Sequence, residues 1–246
     1  MFGNNPIRPP EKGDGTTLKI VEIFHTLQGE GPFAGHPSVF VRLGGCNLAC
    51  DFCDTEFESF QEMELTAIVE QILKHAKKNP SPLAGEVRWG GRDTGRSSNL
   101  DDPPPQPSPA RGEGAYVRDL IVITGGEPFR QNIVPLCEAL IAQGLRVQIE
   151  TNGTLWRDVP KEVHIICSPK MSDGAYHPLR PDLLERLDAL KFIISATHPN
   201  YKTVGEVGQA AHNIPVYVQP MDEQDPAKNA ANQARALELA LEHGYR

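Results

Sequence analysis

The sequence predicts an α/β fold: an open partial (β/α) barrel on a mostly parallel sheet of six or seven strands. Three observations lead there. Apolar runs of five to seven residues alternate with stretches of helical periodicity, the pattern of a parallel sheet with crossover helices. The runs number fewer than the eight strands a closed barrel needs. Polar turns follow the strands, and in parallel barrels the working residues sit at the strands' carboxyl ends.

In chain order, residues 1–17 are polar and rich in Pro and Gly and read as a flexible tail without the apolar core of a secretory signal. A single domain follows over 18–246. Its first strand is 18–24 (LKIVEIF), leaving through the glycine-rich turn 25–32. The second is 37–43 (PSVFVRL). A helix over 65–78 places Ile68, Val69, Ile72 and Leu73 on one face, with Thr66 as a candidate cap and lysines at its end. Residues 80–114 break the pattern. They hold seven prolines and almost no apolar run, too little to offset the entropy of ordering. A disordered surface insertion is expected there, with a substrate lid as the other reading. Alternation resumes with strand 119–124, helix 132–143, strand 145–150, the turn 151–154 and strand 163–167. Helix 181–187, strand 189–195, helix 203–211, strand 215–219 and a final helix over 228–243 complete the chain.

Composition excludes several function classes. A net charge of −8 argues against a phosphate-binding surface, so no nucleic-acid partner is expected. No run of eighteen apolar residues exists, so no membrane span is expected. Five cysteines, three of them clustered, fit a reducing cytoplasm rather than a disulfide framework. Cys137 and Cys167 lie in apolar runs and read as buried core residues. His25, His164, His177, His198 and His212 lack ligand spacing and read as structural or exposed.

The chemistry concentrates in Gly44-Gly45-Cys46-Asn47-Leu48-Ala49-Cys50-Asp51-Phe52-Cys53-Asp54-Thr55. The Gly pair lets the chain leave a strand and curl tightly. Three cysteines at C-x3-C-x2-C can face one centre and leave it one open position, whereas a structural zinc site closes with four protein ligands. In a cluster of four irons, three thiolates leave one iron free. A second landmark follows strand 119–124: Gly125-Gly126-Glu127-Pro128. In these two stretches the sequence resembles the radical S-adenosylmethionine (SAM) superfamily. That resemblance implies a 4Fe-4S cluster on Cys46, Cys50 and Cys53, whose free iron binds SAM so that one electron cleaves it to a 5′-deoxyadenosyl radical.

Leu27-Gln28-Gly29-Glu30-Gly31, Arg42, Cys53-Asp54-Thr55 and Gln219-Pro220-Met221-Asp222 narrow the resemblance to the 7-carboxy-7-deazaguanine synthase family, over residues 18–79 and 115–240. The resemblance implies a carbon–nitrogen lyase of queuosine biosynthesis. Such an enzyme contracts 6-carboxy-5,6,7,8-tetrahydropterin to 7-carboxy-7-deazaguanine and releases ammonia. It further implies a SAM site of Phe52, Cys53, Asp54, Gly126, Ser168, Pro169, Lys170, Gln219, Pro220, Met221 and Asp222. Thr55 would be the protein ligand of a magnesium ion (Mg2+). Leu27, Gln28, Gly29, Glu30, Arg42 and Thr124 would bind the substrate; Glu150, which could equally cap its turn, joins them by its capacity to read a pterin edge. These residue types suit such chemistry. A guanidinium offers a carboxylate two parallel donors, and magnesium keeps oxygen ligands that the protein need not supply. The implied partners are a flavodoxin- or ferredoxin-type electron donor and a second copy in a homodimer. Family members continue past the last helix into a short strand near the substrate, whereas this chain stops at Gly244-Tyr245-Arg246. Either the chain is truncated or that wall is built otherwise. Two rival readings stay open, a glycyl-radical activating enzyme and a non-enzymatic zinc module.

Overall fold

Strand residues sort by parity. A computed structural model describes residues 5–77, 117–172 and 174–246; the expected insertion at 80–114 lies outside them. In β2 (Pro37–Leu43), Val39, Val41 and Leu43 are fully buried toward the helices, whereas Phe40 and Arg42 face an inner cavity. β4 (Leu120–Gly125) and β5 (Arg146–Thr151) repeat this, with Ile121, Ile123, Val147 and Ile149 in the core and Thr124 and Glu150 on the cavity side. So does β9 (Ala189–Ile194), with Leu190 and Phe192 outward and Lys191 and Ile193 inward. Period two therefore makes one face core and the other site.

Among the described residues the sheet has eight strands in the order β10-β9-β6-β5-β4-β2-β1-β3, where β6 is His164–Cys167 and β10 is Val216–Pro220. Six are parallel, from β2 across to β10. Among the described residues the edges, β10 and β3, are not joined, so the barrel is open, as expected. The strand count is one above the expected range. β3 (Gln61–Glu64, sequence QEME) has no apolar residue but Met63 and gives no strand signal; it pairs antiparallel with β1 (Thr17–Leu27). β1 is itself antiparallel to β2, with Leu27 opposite Pro37. The turn after β1 therefore lies at the amino edge of the parallel strands. It reaches the cavity from the end opposite the cysteines, a correction to the expectation that every polar turn gathers at one mouth.

Helices pack where the apolar spacing places them. α1 (Leu65–Ala76) buries Ile68, Ile72 and Ala76 against the core, but Thr66 lies inside the helix and Glu64 at the cap position makes no side-chain bond. α2 (Val134–Ala142) buries Leu136, Cys137 and Leu140. Two expected helices are short: α3 is Pro181–Leu184, and α4 is only Gln209–His212 because Gly208 before it takes a left-handed φ of 117°. The small hairpin β7 (Met171–Ser172) and β8 (Ala175–Tyr176) lies between β6 and α3 and was not expected. α5 (Pro226–His243) starts with Pro in its first turn, and Asp225 accepts hydrogen bonds from the amides of Ala227 and Lys228. At the β10 edge, Val218 N donates to Arg246 O (2.9 Å) and Arg246 N to Val216 O (3.1 Å).

Candidate active site

The cysteine loop is shaped by contacts too close for side chains. A Cβ on Gly126 would lie 1.8 Å from the carbonyl oxygen of Gly45. Gly45 has a φ of 76°, and a Cβ there would meet the Arg130 guanidinium at 2.6 Å. The two sequence landmarks are thus bonded backbone to backbone, Gly126 N to Leu43 O (3.0 Å) and Glu127 N to Gly45 O (3.1 Å). Glu127 is completely buried and accepts from Thr151 Oγ1 (2.7 Å), Asn152 N (2.7 Å) and Phe129 N (3.0 Å). Burial lifts its pKa to about 7 against those bonds. Its role is to hold the 151–154 turn beside the cysteines.

Cys46, Cys50 and Cys53 are free thiols lining one cavity of about 430 Å³. Cys53 N donates to Cys50 O (3.2 Å), which closes the loop's last turn. Burial pushes the Cys46 thiol up to about 12 and raises Cys50 and Cys53 as well. Among the described residues no group of three His, Cys, Asp or Glu side chains could hold a single metal ion. A polynuclear cluster makes a different demand: each thiolate binds its own iron, so the sulfurs need share only a wall and not a point. Three soft donors on one cavity wall, with no fourth beside them among the described residues, fit that group. Lys170 reaches the same wall and donates to Ser168 O (3.0 Å) and Oγ (2.6 Å).

The opposite end of the cavity is a polar floor assembled from distant elements. Glu150 Oε1 accepts from Gln28 Nε2 (3.0 Å) and Gln148 Nε2 (3.0 Å). Lys191 lies 3.4 Å from Glu150 Oε2 and also binds Glu30 Oε2. Its side chain is only 8% exposed. Burial alone would lower the ammonium's pKa, but Glu150 and Glu30 outweigh it and hold Lys191 charged. Arg42 stands between floor and mouth with its guanidinium over the Phe24 ring (5.6 Å). Its Nε is 3.3 Å from Glu22 Oε1 but out of hydrogen-bonding alignment, so this buried N–H has no acceptor among the described residues.

Most of the expected site residues meet here. Gln28, Gly29, Glu30, Arg42, Phe52, Asp54, Thr55, Thr124, Gly126, Glu150, Ser168, Lys170 and Gln219 line the cavity with the cysteines. Thr55 Oγ1 donates to Asp54 Oδ1 (2.9 Å), so the loop presents two oxygens side by side. Met221 and Asp222 line a neighbouring cavity of about 290 Å³ that shares Phe52 and Asp54. Phe52 stands edge-on to Tyr201 (4.8 Å between centroids). Leu27 is 60% exposed and lies outside both cavities; buried Pro169 and half-buried Pro220 also lie outside them. Cys137 and Cys167 are fully buried in the core. Sequence reasoning missed Lys191, whose one signal is a lysine inside the buried strand ALKFII. It missed Asn152 and His198, the latter in the second cavity and 3.3 Å from Asp51. It also missed Asn5. Residues 5–14, expected to be mobile, run over the cysteine loop: Arg8 N donates to Cys46 O (2.7 Å) and Glu11 pairs with buried Arg130 (2.6 Å).

Fold and loop together define the class: an open, mostly parallel partial barrel with three cysteines at its carboxyl mouth, the radical SAM arrangement. No protein-family model matches the chain. The 7-carboxy-7-deazaguanine synthase of Rickettsia prowazekii (strain Madrid E) is 47% identical over the whole chain and 91% of its own length. That of Rhodospirillum rubrum is 42% identical over the whole chain and 95% of its length. The crystal structure of QueE from Escherichia coli shares the fold, with a TM-score of 0.61 at 20% identity over 96% of this chain and 97% of that one. The chain belongs to the 7-carboxy-7-deazaguanine synthase family.

Proposed function

We propose that the chain makes 7-carboxy-7-deazaguanine by ring contraction of 6-carboxy-5,6,7,8-tetrahydropterin, releasing ammonia, as a step toward queuosine. The observation that carries this is one cavity with three thiols at its mouth, Arg42 and Thr55 along its side and a carboxylate–amide floor. Cys46, Cys50 and Cys53 would hold a 4Fe-4S cluster, which supplies the electron that cleaves SAM. Phe52, Asp54, Gly126, Ser168, Lys170 and Gln219 would cradle the nucleotide, with Pro169, Pro220, Met221 and Asp222 shaping the backbone around it.

The chain's own residues then do the selecting. Arg42 offers a planar donor pair to the substrate carboxylate. Thr55 would give magnesium one hard oxygen, with the substrate carboxylate supplying others. Gln28, Glu30 and Glu150, with Gly29 and Thr124 beside them, face the amino-pyrimidine edge, whose donors match carboxylate acceptors. Leu27, exposed in the described structure, would contribute only by its backbone. Enclosure by the barrel keeps water away and holds the C6 hydrogen in place. The electron comes from a flavodoxin- or ferredoxin-type donor in the cytoplasm, and the working unit is a homodimer.

Anaerobic incubation of cluster-loaded, reduced enzyme with SAM and the tetrahydropterin tests this, with and without magnesium. Formation of 7-carboxy-7-deazaguanine that rises with magnesium is expected. SAM cleavage without that product would overturn the substrate assignment.

A further inference from the structure

Two side-chain amides point at two of the three cluster-loop sulfurs. Asn5, on the strap formed by residues 5–14, places Nδ2 2.7 Å from Thr55 O and 3.8 Å from Cys53 Sγ. Asn152, in the turn after β5, places Nδ2 3.0 Å from Asn47 Oδ1 and 3.9 Å from Cys46 Sγ. In each case the other end of the amide is already committed. Asn5 Oδ1 accepts from Phe57 N (3.3 Å), and Asn152 Oδ1 accepts from Thr154 N (3.0 Å) and Thr154 Oγ1 (2.6 Å). Flipping either amide would set an oxygen against an oxygen and a nitrogen against a donor, so each N–H end is locked toward sulfur.

Both residues are also held from behind. Asn152 is 8% exposed, and its backbone amide donates to buried Glu127. The strap is pinned by Arg130, which is 3% exposed and donates to Pro9 O (2.9 Å) as well as Glu11. Arg8 adds an ion pair to Glu58 on the far side of the loop. Such anchoring fixes residues that a loose tail would leave wandering.

We propose that Asn5 and Asn152 are positioning residues that set the reduction potential of the cluster by donating N–H hydrogen bonds to the sulfurs of Cys53 and Cys46. A donor to a ligating thiolate drains negative charge from it, favours the reduced cluster and raises its potential. The two amides therefore ease the electron's arrival. This rests on the cluster reading given above.

The test uses whole, anaerobically reconstituted enzyme: wild type, Asn5→Leu and Asn152→Leu. Iron is counted first, then the cluster is titrated at controlled potential with EPR detection, without SAM. Each variant is expected to show about a threefold lower ratio of reduced to oxidised cluster at a fixed potential, a shift of about 28 mV at 59 mV per decade. Full iron with an unmoved potential in both variants would overturn the inference while leaving the cluster reading intact. Should a variant fail to take up iron, the wild-type enzyme labelled with 15N only in its asparagine side-chain amides decides, since the Asn47 amide nitrogen in the loop is turned to Thr154 Oγ1. A 15N coupling to its reduced cluster supports the donors, and its absence overturns them. A wild type that takes up no cluster would fail the cluster reading itself and bring this inference down with it.

Discussion

The two ends of the cavity are built in opposite ways. The mouth comes from one contiguous loop, where Cys46, Cys50 and Cys53 fall within eight residues. The floor draws Gln28, Glu30, Glu150 and Lys191 from three elements, and the Lys191–Glu30 pair bridges 161 residues. The mouth presents free thiols with few hydrogen-bond partners, whereas the floor's charges satisfy one another. A cluster of thiols can thus be short and locally encoded, while charged groups carried into a barrel need long-range pairing to offset desolvation.

Substitutions at the two ends should fail differently. Cys50→Ala is expected to give the largest effect on activity, more than about a thousandfold in turnover, or some 4 kcal/mol of barrier. Its melting temperature should stay close to wild type, since Cys50 is only half-buried. A large loss of stability with retained iron would break the contrast.

At the floor the order reverses. Lys191→Met strands two carboxylates in a site where the lysine is 8% exposed. Removing one partner of such a group costs about 3 kcal/mol, which is about 6–12 °C in melting temperature for a chain of this size. Adding Glu150→Gln to the same variant should recover part of that loss, and adding Glu30→Gln as well should recover most of it, as read by calorimetry; no recovery would mean that Lys191 serves packing rather than charge.

Arg42→Lys sharpens the middle of the cavity. A point charge replaces a planar fork, so the Michaelis constant for the tetrahydropterin should rise by about tenfold, the equivalent of about 1.4 kcal/mol, with turnover at saturation little changed. A fall in turnover alone would reassign Arg42 away from binding.

The smallest effect lies outside both ends, at Glu223. Hydrogen bonds from Asn232 first, then Lys228, Ser195 and Thr197, hold its carboxyl down to about 2. A depressed carboxylate adds stability that is present above the ordinary carboxylate range and fades as pH falls toward about 2. Glu223→Gln should therefore melt about 2–4 °C lower at pH 7, for a loss of about 1 kcal/mol. The gap to wild type should close on acidification. A constant gap from neutral pH down to about 2 would refute the electrostatic origin.

The same contrast decides what is legible in the sequence. Strand parity, the Gly pairs and the cysteine spacing are local, and periodicity reveals them. β3 escapes because QEME carries no apolar alternation, and the direction of β1 leaves no mark on its own residues. Thr66 looks like a cap but lies within the helix, past the cap position at Glu64. Lys191 and Arg130 read as ordinary basic residues until the fold brings Glu30 or Glu11 to them. Asn5 is invisible for the same reason: its partners lie 48 to 52 residues away.

The proposed chemistry depends on three protein thiols leaving one iron open to SAM. The direct measurement is the hyperfine spectrum of the reduced, cluster-loaded enzyme with SAM labelled by 15N at its methionine amino group. A 15N coupling that appears with SAM and vanishes without it is the predicted result. A cluster spectrum indifferent to SAM, at full iron content, would contradict it.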